Sequence, residues 1–169
     1  SQKLGIEYYD RDIVDEVAKQ LNLPVSQISD AEETSRNHFF AHMFPLGTDK
    51  QYIQDMIFDV QKDIILDLAR KSSCIIVGRC ADYILQDTAD CLKVFIHADL
   101  AFRAKRIVEV YGEREQSPEE RLRDKDKRRA AYHRFYTNMK WGHAQNYHLT
   151  LDSGVIGIDK CVDIIAQLY

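Results

Sequence analysis

The run Cys74-Ile75-Ile76-Val77-Gly78-Arg79 puts a cation at the end of a strand-like segment. Its first four residues are apolar and mostly β-branched, and they read as a short strand buried on both faces. A glycine follows, then Arg79. In an open α/β sheet, ligands bind in the crevice beyond the carboxyl ends of the strands. An arginine there is badly placed for packing and well placed for holding an anion. Its guanidinium stays charged and grips a phosphate in a bidentate way. Cys80 and Asp82 follow closely. Cys80 reads first as buried packing and second as a ligand contact.

A second constellation is RLRDKDKRRAAYHRFY, Arg121 to Tyr136. Arg121, Arg123, Lys125, Lys127, Arg128, Arg129 and Arg134 are set against only Asp124 and Asp126. On a helix, Arg121, Lys125 and Arg129 share one face, and Asp126 neighbours Arg129. Such a face suits a phosphate with a sugar hydroxyl, the carboxylate accepting from the hydroxyl or angling an arginine. The plain alternative is a solvated helix face laced with ion pairs. Nucleic-acid binding through Tyr132, Phe135, Tyr136 and Trp141 is a further reading. The net charge of −4 weighs against it. Arg103 and Arg106 form a third cationic group, after the segment Leu92 to Ala98, with an exposed helix face as its alternative. Asp10, in YYDRD, is a helix N-cap or a carboxylate beside an acceptor, orienting a nucleophile or a hydrated Mg²⁺. The six histidines show no zinc-like spacing; His38 and His42 are four apart, with no third ligand. No phosphate-cradling glycine cluster is visible among the seven glycines.

These residues need elements to position them. Strands are expected at Ile6–Tyr9, Cys74–Gly78, Leu92–Ala98 and Tyr147–Ser153. Helices are expected at Asp10–Leu21, Asp49–Lys71, Leu100–Val110, Pro118 to about Tyr136, and Ile158–Leu168. Asp10–Leu21 carries Ile13, Val14, Val17, Ala18 and Leu21 at helical period. Asp49–Lys71 carries Ile53, Ile57, Val60, Ile64, Ile65 and Leu68 on one stripe. Alternation of strand and helix implies an α/β fold with right-handed crossovers and a mainly parallel sheet flanked by helices. With 169 residues and no visible boundary or repeat, one domain is expected. Val25 to Gly47 is the least regular stretch, a mobile cap or a helical hairpin. Hydrophobic residues at 45% and charged residues at 30% fit a globular chain rather than a disordered one. The apolar runs are too short for a membrane span, and no signal peptide is expected. The four cysteines form no C-x-x-C pair, which argues against a zinc ribbon or a disulfide framework and points to a reducing cytoplasm.

Taken together, KLGIEYYDRDIVDEVAK, IIVGRCADYIL, VFIHADLAFRAKRI, DKDKRRAAYHRFYTNMKWG and NYHLTLDSGVIGIDKCVDII resemble the cytidylate kinase-like family of P-loop nucleoside monophosphate kinases. The pairing of GRCADYIL with the DKRRA…YT…WG segment is the most specific part. The resemblance implies ATP-dependent phosphoryl transfer to a nucleoside monophosphate with Mg²⁺. It implies that Arg79 and Arg129 clamp the acceptor phosphate. Arg103 and Arg106 would neutralise the transferring group. Asp126 would bind a sugar or orient Arg129, and Asp10 would sit by the acceptor or the hydrated metal. Cys80 stands where cytidylate kinases carry a base-contacting aspartate, with Asp82 nearby. Lys125, Asp126 and Arg129 match the R-D-x-x-R pattern, with lysine first. A short lid is implied at about 112–120. Family members begin with a strand, a phosphate loop and a helix, and the match starts near the end of that helix. The first strand and phosphate loop, which would hold ATP and Mg²⁺, are therefore expected upstream of Ser1. No metal ligand is assigned within these residues. A non-catalytic nucleotide-binding module is the alternative. No nucleic-acid or membrane partner is expected, and the oligomeric state stays open.

Overall fold

The computed structural model describes residues 1–33, 50–87 and 90–169. The chain forms two compact units, residues 1–91 with 131–138, and residues 92–130 with 139–169.

The first unit opens with strand β1 (Glu7–Tyr9), helix α1 (Arg11–Leu21) and helix α2 (Val25–Glu33). Helix α3 (Lys50–Lys71), strand β2 (Cys74–Ile76) and the single-turn helix α4 (Ala81–Ile84) follow. Strands β1 and β2 pair in parallel, Tyr9 opposite Ile76. The periodic apolar residues read from the sequence make the core. Ile13, Val14 and Val17 of α1 are buried with Ile53, Ile57, Ile64 and Ile65 of α3. Helix α1 stops because Asn22 adopts a left-handed conformation (φ 51°), and Leu23 N donates back to the Ala18 carbonyl at 3.0 Å. Most of the irregular stretch after α2, with His38 and His42, lies outside the described residues.

The second unit holds strand β3 (Val94–His97), helix α5 (Leu100–Tyr111), strand β4 (Leu149–Asp152), and helices α7 (Ser153–Ile156) and α8 (Ile158–Gln167). Helix α6 (Pro118–Thr137) gives its first thirteen residues to this unit and the remainder to the first. Ser117 caps α6 through Glu120 N at 3.3 Å, with Pro118 in the first turn. The connection between α5 and α6 is thus 112–117. Strands β3 and β4 pair in parallel, His97 opposite Asp152.

The expected parallel pairing is present: the described residues form two two-stranded sheets, both parallel. One expectation is corrected here: Cys74–Val77 is not buried on both faces. Cys74 to Ile76 are half-buried and Val77 is 45% exposed. The cause is pairing: β2 has β1 on one side and no second strand on the other among the described residues. Composition records a strand's taste for burial, not how many neighbours it acquires.

Phe95 on β3 is packed edge-on to Trp141 (5.4 Å between centroids) and tilted against Tyr147 (4.9 Å). Gly142 makes that packing feasible. Its φ is +71°, and a β-carbon there would lie 2.9 Å from Phe95 Cζ. Gly142→Ala is expected to cost about 2–3 kcal/mol, from left-handed strain plus overpacking. Urea denaturation of the two proteins checks this, as a lower midpoint at unchanged slope.

Candidate functional site

The residues singled out by sequence fall into two groups, one in each unit. Asp10, Arg79, Cys80 and Asp82 belong to the first, and Arg103, Arg106, Lys125, Asp126 and Arg129 to the second.

In the first unit, Gly78, Arg79 and Cys80 all have positive φ (73°, 55° and 53°). Three consecutive left-handed residues form a tight turn between β2 and α4. Glycine adopts this conformation freely. Arg79 and Cys80 each pay about 1–2 kcal/mol for it. Strain of this kind persists only where the surroundings over-determine it, and it collects at functional sites. Every carbonyl of the turn has a donor. Gly78 O accepts from Ala81 N (3.0 Å), and Cys80 O accepts from Ile84 N (2.9 Å). Arg79 O accepts from Gln61 Nε2 on α3 at 3.3 Å.

Arg79 Nη1 lies 3.5 Å from Asp10 Oδ1. Asp10 occupies the N-cap position of α1, yet its side chain makes no capping bond. Its carboxylate faces the arginine instead. With Asp10 partly exposed, this pair contributes at most about 1 kcal/mol. Its consequence is direction: a guanidinium held at the carboxyl end of a strand.

Cys80 is buried at 4% exposure, its thiol inside the packing. Asp82 is engaged. Its Oδ2 is 3.0 Å from His133 Nε2, and His133 lies against Thr137, whose hydroxyl donates to the His133 carbonyl at 2.6 Å. An ionised carboxylate can only accept, so Nε2 carries the proton of that bond. The Asp82–His133 pair ties α4 to the last turns of α6. Alongside it, Tyr136 stacks on Phe58 (4.0 Å, 4° between planes). Burial, then Asp55 beside it, pushes the Tyr136 hydroxyl well above the usual phenol range, so it stays protonated. Burial likewise pushes the Cys74 thiol up and away from reactivity.

In the second unit, Arg103 on α5 grips Asp126 on α6 with both ends of its fork, Nη1 to Oδ2 at 2.7 Å and Nη2 to Oδ1 at 2.8 Å. Arg129 Nη1 approaches the same carboxylate at 3.8 Å. Asp126 thus orients two arginines, and Arg103 rather than Arg129 holds it more closely. Arg128 pairs with Asp124 one turn back. The long basic run is therefore partly a face of internal ion pairs, as its plain reading had it. Lys125 is exposed on α6. Arg106 has different surroundings from Arg103: it lines a hollow of about 240 Å³ with Ile96, Ser153 and the apolar side of α8.

A family model described as the cytidylate kinase-like family matches residues 1–155. The chain belongs to the cytidylate kinase-like family. The GRCADYIL segment with its strained turn, and the helix carrying Asp126, Arg129 and His133, both lie within the matched residues. Among solved structures, an uncharacterized protein from Eubacterium ventriosum is similar, at 27% identity and a TM-score of 0.64. The match covers 92% of this chain and 88% of that one. No curated protein is significantly similar in sequence.

Sequence reasoning did not single out Gln61 or His133, which the structure places against Arg79 and Asp82. Gln61 had a signal, as a polar residue interrupting the isoleucine stripe of α3. His133 had one too, four residues before Thr137 on the same helix face. Neither pattern names its distant partner.

Proposed function

We propose that the protein is a nucleoside monophosphate kinase of P-loop type, transferring a phosphoryl group from ATP to a monophosphate acceptor. The observation that carries this reading is Arg79, held on a strained turn at the carboxyl end of a parallel strand, in a chain of the cytidylate kinase-like family. Phosphoryl transfer needs positioning and charge neutralisation more than covalent chemistry. Arg79 supplies a fixed cation for the acceptor phosphate, and Asp10 sets its angle. Arg103 and Arg129, ordered by Asp126, offer guanidinium groups for phosphate oxygens, with Lys125 and Arg106 as further cations on α6 and α5. Cys80 shapes the turn, and Asp82 anchors it through His133.

Mg²⁺ would arrive with ATP and would supply charge neutralisation for its phosphates. Among the described residues no three His, Cys, Asp or Glu side chains cluster as a metal site.

The test is ADP release with MgATP and a panel of CMP, UMP, dCMP, AMP and GMP, using the full-length protein. The reading expects acceptor-dependent ADP formation with at least one of them. Saturable nucleotide binding with no ADP from any acceptor would replace it with a non-catalytic binding module. Affinity for single-stranded oligonucleotides that falls steeply with salt would instead identify the α6 cations as a nucleic-acid surface.

A further inference from the structure

We propose that Gln61 is a positioning residue for Arg79, acting through the backbone of the left-handed turn. This rests on the reading of Arg79 as the acceptor-phosphate residue. Gln61 sits in the middle of α3, one turn from Ile57, Ile64 and Ile65, and it is fully buried (0% exposed). An isoleucine or leucine would serve that stripe better if packing were the whole purpose. The amide is asymmetric in use. Nε2 donates to Arg79 O at 3.3 Å, while Oε1 is buried with no hydrogen-bond partner among the described residues. Leaving an amide oxygen unsatisfied in a core is unfavourable. Its retention follows if the donor end does something packing cannot.

The turn explains what that is. Ala81 N and Ile84 N, just ahead in the chain, donate to the carbonyls of Gly78 and Cys80. The middle carbonyl, that of Arg79, points back to α3 and takes its hydrogen bond from a side chain 18 residues upstream. The orientation of that peptide plane is set by ψ of Arg79 and φ of Cys80, so a hydrogen bond to its carbonyl pins both torsions of the turn. Gln61 Nε2 therefore holds the arginine in a backbone conformation it would otherwise leave.

The test is a double-mutant cycle on the full-length protein, with Gln61→Met and Arg79→Ala singly and together. Methionine keeps the volume and removes both amide groups, so the core stays filled. Binding of CMP and UMP is read by titration calorimetry, alongside ATP binding and melting temperature. Gln61→Met is expected to weaken monophosphate binding about tenfold, with ATP binding unchanged, and to add nothing further in the Arg79→Ala background. Equal weakening in both backgrounds would overturn the inference, because Gln61 would then act by another route. Arg79→Ala weakening the monophosphate while Gln61→Met does not would also overturn it, with the role of Arg79 left standing. Arg79→Ala leaving monophosphate binding intact would remove the reading itself, and the inference with it. A merely structural role for Gln61 would lower melting temperature and both affinities together.

Discussion

Arg79→Ala is expected to lower acceptor-dependent turnover by about 10²–10³-fold, the scale of removing one preorganised charge from a phosphoryl-transfer site. Melting should hardly move. The ion pair lost to Asp10 is partly exposed and worth at most about 1 kcal/mol. Alanine at φ 55° carries much the same left-handed strain as arginine. The informative companion is Arg79→Gly. Glycine removes the guanidinium and the strain together, so this variant should be as inactive as the alanine variant yet more stable by about 1 kcal/mol. Steady-state kinetics and thermal melting on the same three proteins measure both effects. Loss of activity in step with loss of stability would make Arg79 a structural residue.

His133→Ala should have the largest effect on stability outside the core. His133 and Asp82 are 5% and 18% exposed in their side chains and 3.0 Å apart. Removing the imidazole leaves a poorly solvated carboxylate and a cavity, at about 3 kcal/mol. For a chain of this size that lowers Tm by roughly 6–12 °C. Asp82→Asn should be much milder, below about 1.5 kcal/mol, because the amide oxygen still accepts from Nε2. Asp82→Ala should approach His133→Ala, and the double variant should fall well short of their sum. Additive losses would show that the two side chains do not stabilise the unit as a pair. Because Asp82 lies two residues beyond Cys80, the same variants should also slacken the turn that carries Arg79.

The local grammar of this chain was legible in its residues. The 3.6-residue period in α1 and α3 marked the faces that are buried, since burial of an apolar stripe is set by spacing alone. Ser117-Pro118 marked the start of α6 because a cap acts within one turn. The four strands were found, each shorter than read, since end residues of a strand carry the same composition as its middle. Short helices α4 and α7 went unread, for one turn is too brief to show a period.

What the residues alone determined was an α/β chain with cations on strand exits and on one helix, and the family those motifs spell. Tertiary structure decided which charges meet. Asp126 was paired with Arg129 by helical spacing, yet Arg103, 23 residues earlier, takes both its oxygens. Asp82 had no protein partner assigned from sequence; His133, 51 residues later, lies 3.0 Å from its Oδ2. Asp10 read as a cap or as a site carboxylate; its side chain makes no capping bond and lies 3.5 Å from Arg79. Periodicity and capping are short-range rules, written in neighbours along the chain. Hydrogen bonds and ion pairs across tens of residues depend on where whole elements pack, and no spacing rule reaches that far.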